Sequence, residues 1–162
     1  MQIRPILSGH KALVVGVANE HSIAYGCAKA FRAVGADVAI TWLNDRARSY
    51  VEPLADELQA PIRGPLDVSV PGQLEAIFDQ VRAEWGRLDI LVHSIAFAPK
   101  EDLQGGLLNC SAEGFAKAMD VSCHSFIRMA RLAAPLMTEG GAMFAMSYYG
   151  ANRVVPNYNV MG

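Results

Sequence analysis

The chain has 162 residues, 52% of them hydrophobic and 19% charged, and a formal net charge of -2. That composition excludes a disordered tail and matches one globular domain with an apolar core. Lys, Arg, Asp and Glu are interspersed, so no basic stripe recommends nucleic acid or an anionic membrane surface as partner.

The N-terminus is interrupted by Arg4, Pro5 and His10, and the next apolar run, 12–18, is far too short to span a bilayer. Cys27, Cys110 and Cys123 form no C-x-x-C pair and have no histidine at metal-ligand spacing. They read as small buried side chains in a reducing compartment, with no metal site, and the expected location is the cytoplasm.

In chain order, the run 12–18 predicts a first strand, and Ile23, Ala24, Cys27, Ala28, Phe31 and Val34 then share one face of a helix. Gly35 is placed to end that helix in the left-handed conformation, before a second strand at 37–41. A helix over 46–59, containing Pro53, leads to a third strand over 61–68. Ser69 is expected to cap the next helix with Pro71 in its first turn, and Leu74, Ile77, Phe78, Val81 and Trp85 form its apolar stripe. The run 88–93 predicts a fourth strand.

A polar connection, 99–109, precedes one long helix over 111–137 with Met119, Ser122, Phe126, Met129 and Ala133 facing one way. Met119, Met129, Met137, Met143 and Met146 are expected to be packing residues. Gly140 and Gly141 end the helix, and a fifth strand at 142–146 opens into a loop with Tyr148 and Tyr149.

Apolar strands alternating with helices predict an α/β fold, a doubly wound parallel sheet in the Rossmann order 3-2-1-4-5. Ligands of such sheets sit beyond the carboxyl ends of the strands. This directs attention to 16–22, 42–45, 67–68, 94–97 and 147–158.

After the first strand the sequence reads GVANEHSIA, where the glycine-rich dinucleotide fingerprint retains only Gly16. The physical need is a tight turn, a small residue against the pyrophosphate, and free amides at a helix N-terminus. Gly16, Ala18 and the Ser22-Ile23 pair satisfy it, although Gly16 reads equally as a turn residue and Ser22 as an N-cap. The second strand ends in Trp42-Leu43-Asn44, with neither the acid expected for NAD nor the arginine expected for NADP. With no cation at that tip, the reading leans to NADH.

Three stretches together, GVANEHSIA, HSIAFAP and SYYGANRVVPNYNVMG, closely resemble the NADH-dependent enoyl-acyl-carrier-protein reductases of the short-chain dehydrogenase/reductase superfamily. The resemblance runs from about Leu7 to the last residue. It implies an enzyme of fatty acid biosynthesis that reduces trans-2-enoyl thioesters carried on acyl carrier protein, adding hydride from NADH (the cofactor, also NAD) to the β-carbon. It further implies that Gly16, Ala18, Ser22 and Ile23 line the cofactor's phosphates and ribose, that Asp67 and Val68 bracket the adenine, and that Ser94, Ile95 and Ala96 run beneath the adenosine. Ser147 would lie near the nicotinamide, and Ala98 and Met161 would border the acyl group.

In this chemistry charge develops on the thioester oxygen, and a phenol, ordinarily titrating near 10, can donate a hydrogen bond to it at neutral pH. The resemblance gives that role to Tyr158, with Tyr148 in support. Leu43 and Ala96 depart from the glutamine and glycine common in the family. His93 reads as structural, and no histidine has a partner that would suggest a hydrolase triad.

A short-chain ketoreductase or alcohol dehydrogenase would carry lysine at Gly162, usually asparagine at Ser122, and a more glycine-rich first turn. The other alternative is a non-catalytic nucleotide-binding fragment or homologue. The family's lysine would fall at position 165, so residues 1–162 are expected to form a single dinucleotide-binding Rossmann domain truncated before its last strands and substrate-binding helices. Such a piece is expected to be inactive alone and to leave an apolar sheet edge exposed, whereas the full-length protein is expected to be a homotetramer.

Overall fold

The computed structural model describes residues 5–161. Residues 1–4 and Gly162 lie outside them, including Arg4 and the ketoreductase lysine position. Five parallel strands, β1 (Lys11–Val15), β2 (Asp37–Trp42), β3 (Arg63–Pro65), β4 (Ile90–His93) and β5 (Ala142–Ala145), form one sheet. Their order is β3-β2-β1-β4-β5, as the sequence predicts.

Among the described residues six α-helices accompany them: α1 (Ile23–Ala33), α2 (Asp45–Glu57), α3 (Gln73–Trp85), α4 (Lys100–Leu103), α5 (Ala112–Met119) and α6 (Ser125–Ala133). Alternate strand residues point to opposite faces, and each face has its own core. Ala12, Val14, Val38, Ile40, Ile90 and Val92 pack with Ala24, Ala28, Val51 and Ala55 of α1 and α2. Leu13, Val15 and Leu91 pack with Ile77, Phe78, Val81, Met129 and Ala133 of α3 and α6. Fully burying one such large side chain contributes roughly 1.5–3 kcal/mol, so the central strands hold the layers together.

Gly35 has φ 100° and its amide donates to the Arg32 carbonyl at 3.0 Å, closing α1 as expected. The stripe on that helix differs: Ile23 is exposed, whereas Tyr25 is buried and donates its hydroxyl to Glu57 Oε2 at 2.8 Å. An aromatic body with a polar tip satisfied at the far end belongs in the layer boundary.

The third strand is shorter than predicted because it lies at the sheet edge and ends at Pro65, which has no amide to donate. Ser69 does not cap α3. Asp67 accepts the Ser69 amide at 2.8 Å, and its own amide donates to Gln73 Oε1 at 2.8 Å, forming a turn that delays the helix until Gly72 at its N-cap. The predicted α3 stripe is buried, with Trp85 partly so.

The predicted long helix is four segments in succession. Between α5 and α6 the backbone makes a π-turn at Asp120–His124, and a 3₁₀ turn at Ala134–Leu136 follows. The buried line is therefore Ala118, Val121, Ser125, Met129 and Ala133, while Met119 is exposed. A π-turn spends more residues per turn than an α-helix, which is why a stripe drawn at regular spacing drifts off the core.

The connection 99–109 contains α4 and a 3₁₀ turn at Leu107–Asn109. Met146 is also exposed, and of the cysteines Cys123 is exposed and the other two half-buried, so the expectation that all were core residues fails. On β5, Phe144 is 47% exposed, on the strand read as an apolar edge.

Candidate functional site

The strand order reverses between β1 and β4, and the loops leaving these two strands meet at their carboxyl ends. Gly16 has φ 98°, and a Cβ there would lie 2.2 Å from the Ser94 carbonyl oxygen. Only glycine fits both that backbone conformation and that approach. The turn is secured by the Val17 amide donating to the Thr41 carbonyl at 2.8 Å and the Ser94 amide donating to the Val15 carbonyl at 3.0 Å.

Above this junction opens a cavity of about 750 Å³, lined by Gly16, Val17, Ala18 and Asn19 after β1, Leu43 and Asn44 after β2, and Leu66–Ser69 after β3. Ser94, Ile95, Ala96 and Phe97 after β4 and Val121 of the π-turn complete its floor. Of the predicted cofactor residues it gathers Gly16, Ala18, Asp67, Val68, Ser94, Ile95 and Ala96.

Ser22 and Ile23 stand at the start of α1 outside the cavity lining. The Ser22 hydroxyl donates to the Asn19 carbonyl at 2.7 Å and accepts from the Ala18 amide at 3.4 Å. It shapes the turn and makes no cap bond to the helix.

Sequence reasoning missed several wall residues. Arg46, Ala47 and Tyr50 reach the cavity from α2, and Lys117 reaches it from α5, donating to Ser69 Oγ at 2.8 Å. The signal for α2 was available in Asn44, whose side chain accepts the Ala47 amide at 3.2 Å and fixes where the helix begins. Nothing local marks Lys117, which meets the cavity only through the packing of α5.

The tyrosine segment forms a second cluster. The rings of Tyr148 and Tyr158 lie 5.5 Å apart between centroids, inclined at 45°. Tyr148 folds over Gly150, where a Cβ would meet its Cζ and hydroxyl at 2.3 Å. Asn157 takes the left-handed conformation at φ 63°. Asn159 donates its backbone amide to the Leu103 carbonyl at 3.4 Å, and its side-chain amide to the Gln104 and Gly105 carbonyls at 3.4 Å, mooring the segment against α4.

Tyr158 is 47% exposed and Tyr148 38%, so neither is a core ring. Ser147 is exposed between β5 and Tyr148, Ala98 is half-buried beside Phe97, and Met161 places its sulfur 3.7 Å from Ser122 Oγ.

His93 has a structural environment. Ser125 has one hydroxyl proton and donates it to the Val121 carbonyl at 2.7 Å, so the 2.7 Å contact to His93 Nε2 has the imidazole N–H donating. Burial holds the His93 pKa below its ordinary 6.5, and Phe126 packs edge-on at 5.5 Å. Among the described residues no three His, Cys, Asp or Glu side chains form a metal-binding group. No described helix is long and apolar enough to cross a membrane.

A doubly wound parallel sheet with a cavity at its switch point defines the Rossmann class of nucleotide-binding folds. The chain belongs to the enoyl-(acyl carrier protein) reductase family, whose sequence pattern matches residues 16–162. It is 42% identical over 161 residues to enoyl-acyl-carrier-protein reductase (NADH) 1 of Rhizobium meliloti, a match covering 99% of this chain and 59% of that protein. The crystal structure of the Anaplasma phagocytophilum reductase in complex with NAD superimposes with a TM-score of 0.93 at 43% identity, covering 100% of this chain and 62% of that one. The Bacillus cereus reductase, solved with NADP+ and indole naphthyridinone, gives a TM-score of 0.91 at 38% identity, covering 100% and 63%. The chain thus spans about 60% of the length of these relatives.

Proposed function

We propose that the full-length protein reduces trans-2-enoyl thioesters of acyl carrier protein with NADH, in fatty acid biosynthesis, and that this chain is its dinucleotide-binding domain. The observation that carries the reading is the pairing of Tyr148 and Tyr158 on a sheet whose switch-point cavity has a glycine floor closed to any side chain.

The cavity suits a dinucleotide. Gly16 and Ala18 leave room for a pyrophosphate beside the amides that open α1, aided by the positive end of the helix dipole. Asp67 and Val68 would flank the adenine, Ser94–Ala96 would lie under the adenosine, and Ser22, Ile23 and Ser147 would stand near the phosphates, ribose and nicotinamide. When bound, the reduced nicotinamide supplies the hydride for the β-carbon. Ala98 and Met161 would contact the acyl part of the substrate.

The Tyr158 hydroxyl would donate its hydrogen bond to the thioester oxygen as that oxygen gains negative charge. A donor aimed at developing charge contributes roughly 2.7–4 kcal/mol to the transition state. Tyr148 would border Tyr158 on the substrate side and limit water near the oxyanion. The same reading implies a cytoplasmic enzyme and a homotetramer at full length.

The test is loss of NADH absorbance in the presence of a crotonyl thioester, followed with the full-length protein. Turnover that needs both reactants supports the assignment, and its absence with NADH demonstrably bound defeats it.

A further inference from the structure

The π-turn at Asp120–His124 aims one hydroxyl at two parts of the site that are distant in sequence. Ser122 Oγ accepts the Phe97 amide at 3.0 Å and donates to the Phe97 carbonyl at 3.0 Å. The sulfur of Met161 lies 3.7 Å from the same oxygen. Phe97 belongs to the cavity wall, and Met161 lies three residues beyond Tyr158.

Resting on the reading above, we propose that Ser122 is a positioning residue for the acyl substrate: it holds the main chain that leads into Ala98 and seats Met161 against it. The loop after β4 has no ladder partner at Phe97, so both its polar main-chain groups depend on this side chain. A loop whose amide and carbonyl are both bound to one hydroxyl is fixed in orientation as well as place. The neighbouring helix positions are engaged elsewhere, with Val121 on the cavity floor and Ser125 on His93. Val121 and Ser122 of the π-turn and Ser125 at the start of α6 thereby face three different parts of the fold.

The test uses the full-length protein and the variants Ser122→Ala and Ser122→Thr. In Ser122→Ala the Phe97 amide is expected to exchange with solvent about fivefold to tenfold faster, the range expected for losing a hydrogen bond of about 1 kcal/mol. The KM for a crotonyl thioester is expected to rise by a similar factor, while the Kd for NADH moves by less than about twofold. Ser122→Thr, which keeps the hydroxyl, is expected to restore both.

An unchanged KM in Ser122→Ala, or an equal weakening of NADH and thioester that Ser122→Thr does not reverse, overturns the proposal. Should the unaltered protein bind NADH but reduce no enoyl thioester, the enoyl-reductase reading fails. The substrate role assigned to Ser122 then falls with it, and the exchange rate at Phe97 independently reports whether the clamp exists.

Discussion

Tyr148 and Tyr158, ten positions apart in the chain, bring their rings to 5.5 Å and 45° of each other across the loop that follows β5. Both rings are partly exposed, Tyr158 more than Tyr148. Replacing Tyr158 with Phe keeps the ring contact and deletes only the donor. The expected result is a fall in kcat of roughly 10²–10³-fold with NADH affinity unchanged. Full activity in the Phe variant would remove Tyr158 from the chemistry.

Gly150 is the counterpart of that pairing. A methyl group placed there would collide with the Tyr148 ring at 2.3 Å, and the ring, attached through rotatable bonds, is the part that can yield. Gly150→Ala is therefore expected to displace Tyr148 and lower kcat/KM about tenfold, the scale of a misplacement close to reacting atoms. NADH binding should persist, and a crystal structure of the variant with Tyr148 unmoved would contradict this account.

At Gly16 the collision is with main chain, 2.2 Å from the Ser94 carbonyl oxygen, and the backbone angle is unfavourable to any L side chain. Gly16→Ala forces β1 and β4 apart at the cavity floor. A loss of about 1–3 kcal/mol in unfolding free energy is expected, accompanied by weaker NADH binding in a fluorescence titration. Retention of wild-type affinity would show that the floor is not used by the cofactor.

His93 makes stability depend on pH. Burial keeps its folded-state pKa below 6.5, so as pH falls through 6.5 the unfolded imidazole takes up a proton that the folded one refuses. The unfolded state then binds more protons, and stability declines with acidification until the folded pKa is passed. Denaturant melts between pH about 7 and about 5 should show this decline, and His93→Gln, which cannot titrate, should reduce it. Parallel slopes in the two proteins would assign the effect to other groups.

Much of this architecture can be read from the sequence because a parallel strand covered on both faces is a plain apolar run. Leu13 to Val15, Val38 to Ile40 and Leu91-Val92 are each buried on alternating sides. Gly16, Asp67-Val68 and Ser94 to Ala96 could be named in advance because the strand order alone sends their loops to one place. Arg46 and Tyr50 were missed although the Asn44 cap marks where their helix starts, whereas Lys117 could not be named, since its place on the cavity wall depends on how α5 packs. Ser69 misled because a serine before a helix resembles a cap, whereas Asp67 had the better geometry for its amide.

The turn between α5 and α6 also determines what kinds of sequence change this helix can tolerate. A regular α-helix advances 100° per residue, whereas the π-turn spreads its turn over more residues, so removing one residue from 120–124 lets the segment close as regular helix with Ser125, Met129 and Ala133 still facing His93 and the sheet. A one-residue deletion inside α6 has no such slack and rotates everything beyond it by about 100°. The π-turn thus serves as a buffer of register, a stretch where the chain can lose a residue without passing a phase error into the core.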